Sequence, residues 1–396
     1  MLNRYMLFSI FLVSSNALAF DNDYSFNQPN FNTENFLDLN KAEFPEHLND
    51  QWYQAENGWR ISSHSLTSDL TYLHTQVKLH KALSKFASMR LNYDQEIMYA
   101  DKEIQTPELE FEVRPMPKYP VAFSIIGAFY FDKSNSDQGY AITVGERTKN
   151  YIRYSSTNID KYHNQKTTDN SLYLKYAYTN VLDAAYHWSD QFSLRASYKQ
   201  FTPLIFLFDD QVTEFTHEGY AYDTSIKYRQ NKNTHYKVRL KGFEIDKSLT
   251  GTTNQEQALS YRSINLIWLI HQQQDYKFSF GIRDDEFTNN IHSTITAASI
   301  VDYPYSMQQL YSTVTHPYSA HQSWQLGLYL GLAKEPSDIN NNDPENKGIT
   351  ETKLNYVWSY QSSDKKSAVF LHISFNLDNF SDDPGDGGGL TYQSTF

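Results

Sequence analysis

The sequence predicts an all-β chain, a transmembrane antiparallel up-and-down β-barrel of about 16 to 18 strands that turns its apolar face to lipid. Three observations carry that prediction. Segments of roughly ten residues alternate greasy and polar side chains; their connections are short on one side and long on the other; and aromatic residues are abundant for so polar a chain. The protein has 396 residues, a formal net charge of -12, 31 Tyr and 25 Phe, with a mean hydropathy of -0.63. Hydropathy alone describes a soluble secreted protein, whereas Tyr and Phe at this level fit girdles at two membrane interfaces. There is no cysteine, which excludes a disulfide framework, thiol chemistry and a lipidated N-terminal cysteine.

The chain opens with "MLNRYMLFSIFLVSSNALAF": a charge at Arg4, an apolar run from Tyr5 to Val13, and Ala17-Leu-Ala19 as a cleavage site. This is the pattern of a secretory signal peptide over residues 1–19, and its apolar run is too short for a bilayer-spanning helix. Residues 20–56 follow, irregular, Asn-rich and acidic, with Asp21, Asp23, Glu34, Asp38, Glu43, Glu46, Asp50 and Glu56 against the single Lys41. They are expected to form either a disordered periplasmic leader or a plug folded into a lumen.

The barrel is expected over residues 57–396, with 57–66 and 291–303 the least regular strands. In "ELEFEVR", Glu108, Glu110, Glu112 and Arg114 alternate with Leu109, Phe111 and Val113, so one strand face is charged and the other greasy. The pattern recurs in Ala87–Tyr93, Leu172–Tyr178, Phe192–Tyr198, Tyr276–Ile282 and Val369–Leu377. Short turns fall at 115–119, 187–191, 230–234, 271–275, 316–322 and 361–366, and longer connections at 158–170, 245–257, 283–306 and 334–350. This asymmetry is expected of a barrel with short periplasmic turns and long outer loops, so the apolar faces look at lipid and the glutamates at the lumen. The glycine-rich "DDPGDGGG" at 382–389 reads as a flexible turn before the last strand.

The final residues "GLTYQSTF" place Leu390, Tyr392 and the terminal Phe396 on one strand face. This ending resembles the closing strand of bacterial outer-membrane β-barrels, the porin-like class, without pointing to a specific family. The resemblance implies a Gram-negative outer-membrane location, with Leu390, Tyr392 and Phe396 as an insertion signal read by the barrel-assembly machinery. It also implies outer-membrane lipids and lipopolysaccharide as surroundings.

In the lumen, Asp94, Glu96, Glu108, Glu110 and Glu112 form an acidic wall on the second and third strands counted. Arg195, Lys199, Lys227, Arg229, Lys237, Arg239 and Lys241 form a basic wall on the eighth to tenth. Opposed walls of this kind set a transverse field across a water-filled pore. The same charges can also simply solvate the lumen or pair across neighbouring strands. The expected function is a passive or substrate-biased channel for small polar solutes, with no cofactor, no metal and no nucleic-acid partner. The alternative is a plugged structural or assembly barrel whose loops bind lipopolysaccharide, surface polymer or a partner protein. On the channel reading, Glu110→Lys should leave the barrel folded and move its preference toward anions.

No enzymatic fingerprint is present. His372, Ser374 and Asn376 in "HISFN" share a strand face, but that face should point into the lumen, where a lipid hydrolase cannot use it. His64 with Ser65, and His74 with His80, read as polar lining. The stretch Asp338–Ile349 fails as a calcium loop because Asp343 stands where glycine is required and Ile349 where a bidentate Glu is.

Overall fold

Alternation at period two makes strands here, and nineteen of them form a single sheet in the computed structural model. The described residues are 58–395 apart from 68–70, 99–101, 116–119, 129–136, 147–149, 159–171, 176–177, 190, 208–211, 213, 232, 252–254, 272–275, 294–300, 335–347, 365 and 379–384. The signal peptide, the segment 20–56, residues 338–347 of the failed calcium loop and Phe396 therefore lie outside the described residues.

The strands are β1 (Gly58–Thr67), β2 (Thr71–Ser84), β3 (Ala87–Met98), β4 (Lys102–Val113), β5 (Val121–Ala128), β6 (Asp137–Gly145) and β7 (Tyr151–Thr157). Then follow β8 (Leu172–Lys175), β9 (Thr179–Ser189), β10 (Phe192–Leu207), β11 (Glu214–Arg229), β12 (Thr234–Thr250) and β13 (Gln255–His271). The rest are β14 (Lys277–Ser293), β15 (Val301–Pro317), β16 (Gln322–Lys334), β17 (Gly348–Gln361), β18 (Ser367–Asn376) and β19 (Gly385–Thr395). Pairing is antiparallel throughout, and β8 and β9 both pair with β10 along one edge, so they make one stave and the barrel has 18. Gly58 of β1 pairs with Thr395 of β19, which closes the sheet and removes both edges.

The greasy faces look outward. On β16, Trp324, Leu326, Leu328, Leu330 and Leu332 share the outer face, with Leu332 61% exposed, while Tyr329 between them is buried. On β4, Phe111 is exposed and Glu112 buried, so the charged side of "ELEFEVR" looks inward. A chain of ring contacts follows one rim of the barrel: Trp188–Phe192, Tyr228–Tyr236, Tyr236–Trp268, Trp268–Phe280, His316–Trp324 and, at the closure, Trp59–Tyr392. Amphipathic rings in such a line suit a lipid headgroup boundary.

That rim also carries the tight turns. At Ser362–Lys366 the Asp364 carboxylate accepts from the Ser362 hydroxyl and from the Lys366 N–H, and these donors hold its pKa below the ordinary carboxylate value. The opposite rim is uneven. Strands β12 to β15 each run 17 residues, about 57 Å of chain, well over the roughly 25 Å apolar band of such a barrel even when tilted. On β5 to β7 the described strands are 8, 9 and 7 residues long.

The tall side corrects two expectations. Residues 245–257 and 283–306 are not mostly loop: pairing continues to Leu249 with Gln255 and to Ile291 with Val301. The physical reason is that the outer face changes chemistry above the lipid band. On β12, Tyr236, Val238 and Leu240 give way to Glu244 and Asp246; on β13 Arg262 replaces the apolar series, and its guanidinium meets Glu286 of β14 at 2.8 Å. Strands that rise into water lose their greasy signature while keeping their hydrogen bonds. The glycine run is a third correction. Gly387, Gly388 and Gly389 pair with Ser374, Ile373 and His372, so they belong to β19 and not to a turn. A Cβ on Gly388 would lie 3.0 Å from the His372 carbonyl oxygen, so glycine at this position permits the close approach of β19 to β18.

The outer belt sets a depth-dependent prediction. Leu328 sits midway along β16, so Leu328→Lys should destabilise the folded barrel by about 2 to 4 kcal/mol. Phe111 lies two residues from the lower end of β4, where the same substitution should cost about 0 to 1 kcal/mol. Urea unfolding followed by the gel shift between unheated and boiled protein measures both. Equal effects at the two positions would contradict the placement of the belt.

Candidate functional site: the charged inner wall

The acidic residues fall on β3 and β4, one strand later than the sequence count, because residues 58–67 form a full strand ahead of them. Asp94 and Glu96 occupy β3 opposite Thr106 and Ile104, and their side chains lie outside the described residues. Glu108, Glu110 and Glu112 stand on the inner side of β4. The basic residues follow on β10, β11 and β12. Counted round the barrel, the two groups lie roughly a third of the circumference apart rather than on facing walls.

The acidic wall is compensated in place. Arg90 of β3 places Nη1 3.2 Å from Glu110 Oε1 and 3.3 Å from Glu112 Oε2. Arg153 of β7 places Nη2 3.2 Å from the same Glu110 oxygen and donates from Nη1 to the Ser155 hydroxyl. Strand β7 is three positions from β4, about 14 Å at ordinary strand spacing. The inner face between them carries Ala122, Ser124, Gly139 and Ala141 beside Ile126 and Thr143, and the small groups leave room for the two side chains to meet.

Glu110 thus sits between two guanidiniums, which corrects the expected behaviour of Glu110→Lys. Three cations would then share one site, so the change should lower stability in addition to altering the lumen charge. The expected loss is about 3 to 5 kcal/mol if the site behaves as a buried ion pair, and less to the extent that water enters. Adding Arg153→Glu should recover part of it. Unfolding of single and double variants checks this, and additive losses would contradict the contact.

On the basic side, register fixes which cations meet. Lys227 pairs directly with Lys237, Ser225 with Arg239, and Asp223 with Lys241. Asp223 is the local counter-charge: Arg239 donates from Nε and Nη2 to its two carboxylate oxygens at 3.0 and 2.6 Å, a bidentate fork. Arg195, Lys227, Lys237 and Arg239 are half-buried, Lys241 is buried, and Lys199 and Arg229 are exposed. Among the described residues, the carboxylates on the inner face from β9 to β17 are Asp183, Asp223 and Asp285, and Glu351 of β17 takes the same face by register. Cations outnumber them there, with Arg283 and Lys353 extending the basic face beyond β12.

Sequence reasoning missed the next layer. Arg283 Nε lies 2.6 Å from Asp285 Oδ2 on β14, and Asp285 is 0% exposed. Tyr261 donates to Asp285 at 3.1 Å and accepts from Arg283 Nη2 at 3.3 Å. Lys241 Nζ stands 5.7 Å from the centre of the Tyr261 ring, a cation–π contact. Next to it, Tyr311 donates to Asn265 Oδ1 at 2.9 Å, stacks on Tyr329 at 5.2 Å and covers Gly281, where a Cβ would strike the ring. The available signal was alternation: Arg283 and Asp285 share a face in "GIRDDEF", as do Tyr261, Ser263 and Asn265 in "SYRSIN".

The remaining candidates are lining. His80 pairs in register with Gly58 and Arg90, while the side chains of His64, Ser65 and His74 lie outside the described residues. His372 and Ser374 are buried on the inner side of β18 and Leu371 is exposed on the outer, which turns them from lipid. Leu390 lies on the outer face at the closure, and Tyr392 packs on Trp59 at 4.7 Å. Among the described residues, no group of three or more His, Asp or Glu is placed to hold a metal ion.

A closed sheet with a greasy exterior, an aromatic rim and a charged interior defines a transmembrane β-barrel. No protein-family model matches the chain, and no curated protein does. Among solved structures, the chain is similar to OccAB3 of Acinetobacter baumannii, at 10% identity, TM-score 0.44 and coverage of 86% of this chain and 98% of that one. It is also similar to OccK11 (OpdR) of Pseudomonas aeruginosa, at 11%, 0.42, 86% and 94%. A bacterial polysaccharide outer membrane secretin gives 10%, 0.43, 87% and 99%.

Proposed function

We propose that the protein is an outer-membrane channel for small polar solutes with a bias toward anions, delivered by the signal peptide of residues 1–19 and driven by no cofactor. The observation that carries this is the composition of the inner wall. Glu110 and Glu112 stand with Arg90 and Arg153, whereas among the described residues of β10 to β14 cations outnumber carboxylates on the inner face. A surplus of one sign in a low-dielectric tube raises the local concentration of the opposite ion. The basic face, more than a field between two walls, then sets the preference. The uptake of small carboxylates and of amines of equal size into liposomes tests it, using both the mature chain and the chain without residues 20–56. Faster carboxylate entry in either form supports the reading. Equal rates, or faster amines, would oppose it.

A further inference from the structure

We propose that residues 20–56 dock inside the barrel as a plug against the inner wall of β12 to β15, held by their carboxylates and aromatic rings. This goes beyond the channel reading and can fail independently of it. An 18-stave barrel is wide enough to leave an aqueous channel unless something fills it, and a large side chain on such a wall keeps part of its surface wet. The inner faces of β12 and β15 do not behave that way: Ile245 is 1% exposed and Met307 0%. The wall is also unlike an open pore in composition, since Phe243, Ile245, Tyr261, Met307 and Tyr311 stand among its cations, where a water-filled lumen is polar.

The N-terminal segment matches that mixture. Its eight carboxylates, Asp21 to Glu56, face one lysine, and Phe26, Phe31, Phe36, Phe44 and Trp52 fall between them. Its carboxylates complement the charge of Lys237, Lys241 and Arg283, and its rings complement the apolar part of the wall. The point of entry fits as well. Residue 57 leads directly into Gly58, which pairs with Thr395 at the rim where the chain ends. Thirty-seven residues extend to roughly 120 Å, so reach does not limit the docking.

The absence of cysteine gives a direct test, because Met307→Cys introduces a single thiol on the covered wall. Its rate of modification by a charged, membrane-impermeant methanethiosulfonate is measured in three barrels: full-length, lacking residues 20–56, and full-length with the eight acidic residues changed to Asn or Gln. The rate should rise about tenfold or more in the second and rise also in the third, because thiol reactivity follows access. Equal rates in the full-length and shortened proteins would overturn the proposal. Should the shortened chain not fold, the neutralised full-length chain decides, and a rate equal to that of the native segment would overturn it. Bilayer currents report separately on the channel: a rate difference with no conductance in any form supports the plug and removes the channel.

Discussion

Arg283→Met should destabilise the barrel by about 3 to 5 kcal/mol, because it leaves the Asp285 carboxylate buried without its cation. Asp285 is 0% exposed, and the neighbouring Tyr261 hydroxyl supplies a single hydrogen bond at 3.1 Å, too little to replace a guanidinium. Arg283→Met combined with Asp285→Asn should recover most of the loss, since no buried charge then remains and the amide can still accept from Tyr261. Urea unfolding of the three variants measures this. If Arg283→Met is as stable as the wild type, water reaches the pair and the inner wall of β14 is wet.

The second large effect is on selectivity. Replacing Lys237, Arg239 and Lys241 together by Gln should move the channel toward cations. The change removes three charges and frees Asp223 from the fork that Arg239 makes with it, so the wall loses positive charge and gains an uncompensated carboxylate. The shift should be large in dilute salt and shrink near 1 M, where the screening length falls from about 10 Å at 0.1 M to about 3 Å. A shift that does not depend on salt would point to altered pore shape instead of altered field.

What was legible in the sequence follows from the scale of each signal. The outward belt could be read because alternation is local: Leu109, Phe111 and Val113 against three glutamates need only seven residues of context. The tall rim could not, because Glu244, Arg262 and Glu286 turn the outer face polar above the lipid band while Phe243, Ile245 and Tyr261 stand on the inner one, so the greasy-outside alternation that marks the lower strands is lost. The Gly387–Gly389 run misled for a related reason: glycine marks turns more often than strand seams, and only the pairing with β18 distinguishes them. The lumen residues were legible as a set. Their partners were not, since Arg153 reaches Glu110 across 43 positions of sequence and through a gap that depends on the small side chains of β5 and β6. The Arg283–Asp285–Tyr261 network lay equally out of reach, because its geometry depends on the register of β13 against β14.

The measurement that bears most directly on the channel is the reversal potential across a planar bilayer under a potassium chloride gradient, recorded for the mature protein and for the chain lacking residues 20–56. A conductance whose reversal potential lies toward the chloride equilibrium value, in either form, is the predicted result. A cation-selective conductance in the shortened chain, or no conductance in either form from protein that is folded by the gel-shift criterion, would contradict it.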